Sequence, residues 1–206
     1  MKSGKNREHR PKILIATGIF PPQEGGPATY SKLLLDRLPE LGFEPVIVNF
    51  GSVLHIPKII RHIWYMILLI RKGISVDLLY AQDPVSVGLP TLIVSRILRK
   101  PYIVKIVGDY AWEQGVQRSR VTDTLDDFSV RNSYGFLVQI LKYIEKTVAL
   151  HAKQIIVPSN YLKRIVSNWG IREEMITVIY NGFSVPDIPQ SKQKFGWVLD
   201  TKPQLL

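Results

Sequence analysis

Short apolar runs alternate along most of this chain with segments whose apolar residues recur at helical spacing, and few folds accommodate that order. The runs fall at residues 12–17, 45–50, 76–81, 101–107, 154–157 and 175–179, and the helical patterns at 28–41, 56–72, 84–98, 134–151 and 159–169. Lys12-Ile-Leu-Ile-Ala-Thr17 is apolar without strict alternation, the signature of a strand covered on both faces. Strand and helix in strict succession specify parallel strands joined by right-handed crossovers. The expected fold is α/β: a doubly wound, mainly parallel sheet flanked by helices. Such sheets bind ligands beyond the carboxyl ends of their strands, so function is sought in the loops that follow each strand.

Composition narrows the classes that this fold could serve. The absence of cysteine among 206 residues removes disulfides, thiolate catalysis and Cys-containing zinc sites. Four histidines, at 9, 55, 62 and 151, leave little for a metal cluster, and no cofactor is called for. Lys and Arg exceed Asp and Glu by 27 − 17 = 10, a balance that attracts phosphate-bearing ligands and anionic surfaces. No helix concentrates Arg with interleaved aromatics in a nucleic-acid module, so nucleic acid is not an expected partner. Residues 1–11 are polar and basic, without the apolar stretch of a secretory signal, and read as a disordered tail. Residues 12–185 form the folded domain. Residues 186–206, with Pro186, Pro189 and Pro203, lose the pattern and read as a linker or the start of a second domain. The most apolar segment, residues 59–70, is too short to cross a bilayer. It is either a helix packed on the sheet or one lying at an anionic lipid surface, with Trp64 and Tyr65 at head-group depth and Lys58, Arg61, Arg71 and Lys72 meeting lipid.

Three loops carry the candidate chemistry. After the first run, Gly25-Gly26 leads into a helix, and bare glycines beside a helix N-terminus let an anion reach unpaired amides. The spacing is neither Gly-x-Gly-x-x-Gly nor a phosphate-loop motif, which disfavours a dinucleotide dehydrogenase and a phosphate-loop ATPase; the bland alternative is a simple turn. After the third run, Gln82-Asp83-Pro84 presents Asp83 as a helix cap, with a second role at the cleft mouth open. After the fourth run comes Gly108-Asp109-Tyr110-Ala111-Trp112-Glu113, two carboxylates and two aromatics where a cap is a less natural explanation. Asp109 or Glu113 there could orient or deprotonate a substrate hydroxyl. Residues 114–131 show little periodicity and read as a binding loop, lid or disordered stretch. Ser159 reads as a helix cap at the same end of the sheet.

Taken in order, Lys12-Ile-Leu-Ile-Ala-Thr17, Phe20-Pro21-Pro22, Gly25-Gly26-Pro27-Ala28, Gln82-Asp83-Pro84, Gly108-Asp109-Tyr110-Ala111-Trp112-Glu113, Ile156-Val157-Pro158-Ser159 and Val178-Ile179-Tyr180-Asn181-Gly182 resemble the amino-terminal half of glycosyltransferase family 4. The resemblance implies a Rossmann-like domain, one half of a GT-B fold, in an enzyme that transfers sugar from a nucleotide sugar with retention of configuration. It sets Gly25 and Gly26 against the donor diphosphate or reacting centre. It faces Gln82, Asp83, Asp109, Tyr110 and Glu113 to the acceptor, with Ser159 a further substrate-side candidate. Many relatives carry a histidine where this chain has Gly108-Asp109, so Asp109 is the candidate for that orienting role. Asn181-Gly182 resembles the start of an interdomain connection.

The expected function is therefore the acceptor-side half of a retaining glycosyltransferase, inactive without a donor-binding domain. That domain would be missing by truncation or supplied as a separate subunit. The expected partners are a nucleotide-sugar donor, a saccharide or lipid-linked acceptor and an anionic membrane surface. The expected location is cytoplasmic, peripheral on the inner face of the membrane. The alternative is a non-catalytic, membrane-associated binding or scaffolding module. The reading requires the amide-lined pocket at Gly25-Gly26 to lie beside the Asp109 carboxylate, on the same rim of a parallel sheet.

Overall fold

The structure of the protein, a computed structural model, describes residues 10–131 and 133–182. Most of the 1–11 tail and all of residues 186–206 lie outside the described residues. Six strands run in one parallel sheet: β1 (Lys12–Thr17), β2 (Glu44–Asn49), β3 (Leu78–Ala81), β4 (Tyr102–Lys105), β5 (Gln154–Val157) and β6 (Ile176–Val178). Their order is β2-β1-β3-β4-β5-β6. The expected doubly wound α/β architecture is the one found.

The connections contain α1 (Gly26–Arg37), α2 (Lys58–Gly73), α3 (Gly88–Leu98), α4 (Tyr110–Arg118), α5 (Leu125–Val130), α6 (Phe136–His151) and α7 (Asn160–Asn168). Only the step from β1 to β2 moves toward that edge of the sheet; every later step moves the other way. Right-handed crossovers therefore put α1 on one face and the later helices on the opposite face. The main core fills the second face, where Leu14, Leu79, Val104 and Ile155 meet Tyr65 and Leu69 of α2, Val94 of α3, Val148 of α6 and Ile165 of α7, all buried. Tyr102 reaches across this core and donates its hydroxyl to the Val148 carbonyl at 2.5 Å.

Three sequence expectations are corrected. The helix expected over residues 28–41 ends at Arg37 and tightens into a 3-10 turn over Leu38–Leu41. Pro39 explains this, because its ring lacks an N–H and crowds the carbonyl four residues back. The helix expected from residue 84 begins at Gly88: Asp83 Oδ1 accepts from the amides of Val85, Ser86 and Val87 at 2.9, 2.5 and 3.3 Å, holding residues 84–87 in a turn. Residues 114–131 are not one irregular stretch but contain most of α4 and all of α5. Those helices close a second, smaller core of Ala111, Phe128 and Val138 with Trp112, Val121, Tyr134 and Leu141 around it. Helices this short show too few turns for periodicity to reveal them, and their capping residues set their limits. Thr124 caps α5 through the Asp127 amide at 3.3 Å.

Candidate functional site

Because every strand runs in the same direction, the loops after β1, β3, β4, β5 and β6 open on one rim. The strand order reverses between β1 and β3, so the crevice expected of such sheets lies between the Gly25-Gly26 and Gln82-Asp83 loops. Gly25 has φ +143°, and a Cβ there would also lie 2.9 Å from Ile19 Cδ1. Only glycine meets both conditions without strain. A Cβ on Gly26 would meet nothing within 4 Å, so space is open over the start of α1. No side chain caps that helix, and Pro27 in its first turn has no N–H to satisfy. The loop is anchored from below: Gly51 in the β2 loop donates to the Gly18 carbonyl at 3.0 Å, and Phe20 donates to Gln23 Oε1 at 3.3 Å.

Beneath the first turns of α1 runs a buried polar row. The sheet register pairs Ala16 with Ala81 and Ala81 with Val104, which sets Thr17, Gln82 and Lys105 side by side at the carboxyl ends of β1, β3 and β4. All three are at least 95% buried. The Gln82 amide bridges Ser31 Oγ at 2.9 Å and Thr17 Oγ1 at 3.4 Å, hydroxyls that themselves donate to the carbonyls of Pro27 and Ile19 at 2.7 and 2.8 Å. Lys105 donates to Asn181 Oδ1 at 2.8 Å, and its ammonium sits 3.2 Å from the centre of the Tyr30 ring. Burial lowers its pKa to about 8. Tyr30 and Tyr80 meet at their hydroxyls, 3.3 Å apart, and burial holds the Tyr80 phenol well above the ordinary range.

Past β4 the chain turns to the other face of the sheet. Asp109 is the N-cap of α4, its Oδ1 accepting from the Trp112 amide at 2.8 Å. The expectation that a cap is the less natural explanation for this residue is thus corrected. Strand-end position alone could not reveal a nine-residue helix starting at Tyr110. Glu145, buried in the middle of α6, accepts from the Tyr110 and Ala111 amides at 2.7 and 3.1 Å. Burial pushes both Asp109 and Glu145 up, and the neighbouring Asp109 charge raises Glu145 further. Lys142 lies close enough to draw Asp109 down, and donates to the carbonyls of Phe128 and Arg131 at 2.6 and 2.5 Å. A cavity of about 230 Å³ lined by Asp109, Lys142, Glu145 and Trp169 opens beside them.

Glu113, one turn into α4, is exposed and lies back over Gly108, where a Cβ would stand 2.7 Å from its Oε1. Partial desolvation of the carboxyl where it lies against Gly108 first, and the Asp109 charge second, raise its pKa. Tyr110 lines an apolar groove of about 460 Å³ with Phe50, His62, Met66, Leu89 and Ile93. Ser159 caps α7, accepting from the Leu162 amide at 3.2 Å, as expected.

The Gly25-Gly26 and Gln82-Asp83 loops follow the neighbouring strands β1 and β3, with Gln82 itself buried against Ser31 of α1, and Tyr110 and Glu113 follow β4 on the same rim. The carboxylate of Asp109 shares that rim but contacts α4 and α6 rather than the glycine loop. Sequence reasoning missed Lys105, Tyr30 and Glu145. A lysine closing the otherwise apolar Tyr-Ile-Val-Lys strand was the one available signal; the other two sit inside helical patterns.

Among curated proteins no sequence matches this chain. Solved structures do share its fold. A structure of Anabaena Alr3699/HepE in complex with UDP-glucose superposes with a TM-score of 0.51 at 17% identity, covering 84% of this chain and 44% of that one. The UDP-GlcNAc 2-epimerase of Methanocaldococcus jannaschii gives 0.48 at 14% identity, covering 82% and 44%. The lipopolysaccharide outer core galactosyltransferase WaaB, in its apo form, gives 0.45 at 14%, covering 89% and 50%. The chain thus spans about half the length of these proteins. The sequence pattern of Glycosyltransferase Family 4 matches residues 7–185, nearly the whole chain, on a six-stranded Rossmann-like domain of the kind that the GT-B fold requires. The chain belongs to glycosyltransferase family 4.

Proposed function

We propose that this chain is the acceptor-side half of a retaining glycosyltransferase that moves a sugar from a nucleotide sugar to a saccharide or lipid-linked acceptor. A second domain, in the same protein or a partner, would supply most of the donor contacts. The observation that carries the reading is the rim itself: an uncapped helix start behind Gly25-Gly26 shares it with the exposed Glu113 carboxylate and with the groove bounded by Tyr110. As the bond between the sugar and the donor diphosphate breaks, negative charge grows on the departing phosphate oxygen. Open amides at the start of α1 favour that charge. For retention, the acceptor oxygen forms the new bond on the face of the sugar from which the phosphate departs, and its proton passes to Glu113. Its raised pKa makes Glu113 a stronger base than an ordinary carboxylate. Asp109 and Glu145 act as positioning residues, fixing the start of α4 and with it Tyr110 and Glu113.

The apolar groove supports a lipid-linked acceptor in particular. It lies between α2 and α3, whose outer faces expose Ile60, Ile63, Trp64, Ile67, Ile93 and Ile97. Arg71, Lys72, Arg96 and Arg99 border this surface, and the two helices contain no acidic residue. Among the described residues no helix is long and apolar enough to cross a membrane. The same surface supports the reading of peripheral attachment to the cytoplasmic, inner face of a membrane, and it is also what the alternative of a non-catalytic module would use.

The test is sugar transfer by this chain combined with a donor-binding domain, fused or mixed. Glu113→Gln is expected to lower kcat at least about tenfold while leaving the melting temperature unchanged. An unaltered kcat would remove Glu113 from the reaction. Failure of every donor-domain combination to turn over nucleotide sugars would favour the module.

A further inference from the structure

A buried ammonium without a carboxylate is an expensive feature, because the charge loses its hydration and gains no opposite charge in return. Lys105 is such a group: it is 3% exposed, and its described partners are a neutral amide and an aromatic face. Among the described residues, the groups around it are Tyr30 from α1, Tyr80 from β3, Gln82 beside it in the polar row and Asn181 from the segment after β6, none of them a carboxylate. Its ammonium lies against Tyr30 of α1, the helix whose start is open at Gly26. A full positive charge beneath an open helix N-terminus is complementary to an anion.

We infer that Lys105 is a positioning residue for a phosphate-bearing ligand: the fixed cation that, from beneath α1, sets the affinity of the Gly25-Gly26 loop for a diphosphate. This rests on the anion-binding reading of that loop proposed above, and adds to it the residue that supplies the charge. Tyr30 couples the two physically, since it belongs to α1 and its ring covers the ammonium. Asn181 makes the charge adjustable, because it approaches Lys105 through a neutral oxygen from an exposed side chain. An arriving diphosphate holds the lysine in its charged form, so binding near pH 8 takes up a proton.

Calorimetric titration of the full chain with inorganic pyrophosphate at low salt, at pH 7 and at pH 9.5, tests this. The unaltered protein should bind about tenfold more weakly at the higher pH, and at pH 8 its binding heat should vary with buffer ionisation enthalpy. Lys105→Met should bind about tenfold more weakly at pH 7 and show no further loss at pH 9.5. Asn181→Asp, at an exposed position, should weaken binding similarly by pairing the ammonium with a fixed carboxylate, with a melting temperature no lower than the parent's. Pyrophosphate binding that neither variant alters would overturn the role of Lys105 while leaving the glycine loop as the anion site. No binding of pyrophosphate by the unaltered chain would overturn both. Sugar transfer by the two-domain combination is a separate readout, so loss of that reaction alone does not bear on Lys105.

Discussion

Glu145 accepts from two successive amides at the start of α4 while buried against a second carboxyl, Asp109. Replacing it with alanine leaves those amides buried and unpaired and opens a void, so Glu145→Ala should cost about 2–4 kcal/mol in urea denaturation. Glu145→Gln keeps an acceptor for the Tyr110 amide and carries no charge, and should cost about 1 kcal/mol. No loss in Glu145→Gln beside the full loss in Glu145→Ala would show that the carboxyl only fills space. Nothing in the spacing of residues 134–151 marks this position, because a glutamate in a helical pattern reads as a solvent-facing residue until another element is packed over it. Gly25 is the opposite case. Its placement before a helix was legible in the sequence, and its positive φ agrees with the glycine written there.

At the scale of elements, α2 shows how much a pattern leaves open. Its sequence is apolar on nearly all sides, and packing decides which side meets the core: Tyr65 and Leu69 are buried, while Ile63 and Trp64 remain 58% and 47% exposed. With Arg71 and Lys72 in its last turn, this outer stripe is suited to an anionic lipid surface. Flotation with phosphatidylserine vesicles at low salt should carry the protein upward. The double variant Ile63→Glu, Trp64→Glu should remain at the bottom, and added salt should weaken binding of the parent. No flotation of the parent under these conditions would remove the membrane from its partners. The α4 and α5 helices teach a different lesson. Asp109 and Thr124 are good caps by residue type, yet a cap is recognised only beside a helix, and helices of nine and six residues leave too weak a periodic trace for one to be expected there.

For the molecule as a whole, the pH profile of stability should carry two opposed signatures. Asp83, Asp109, Glu113 and Glu145 all have pKa values raised by burial, so the folded state keeps protons that the unfolded chain releases. Their contribution is fully present below the ordinary carboxylate range and is lost as pH climbs through the raised values. Lys105 acts in the basic range: its folded pKa is about 8 against an ordinary 10.5, so the folded state sheds its proton first and stability gains between those values. Thermal melts at pH 7.5 and 9.5 should show that gain in the parent relative to Lys105→Met. A parallel change in both proteins would assign it elsewhere. The sequence by itself determined the order of strands and helices, the parallel sheet and the rim on which the loops open, because periodicity, caps and breakers act over a few neighbouring residues. Only the tertiary structure decided that Asp109 turns toward α6, that Glu145 closes over it, and that Thr17, Gln82 and Lys105 form one row. Those relations join residues far apart in the chain, and they arise when the sheet register and the packing of α1 and α6 bring them within hydrogen-bonding distance.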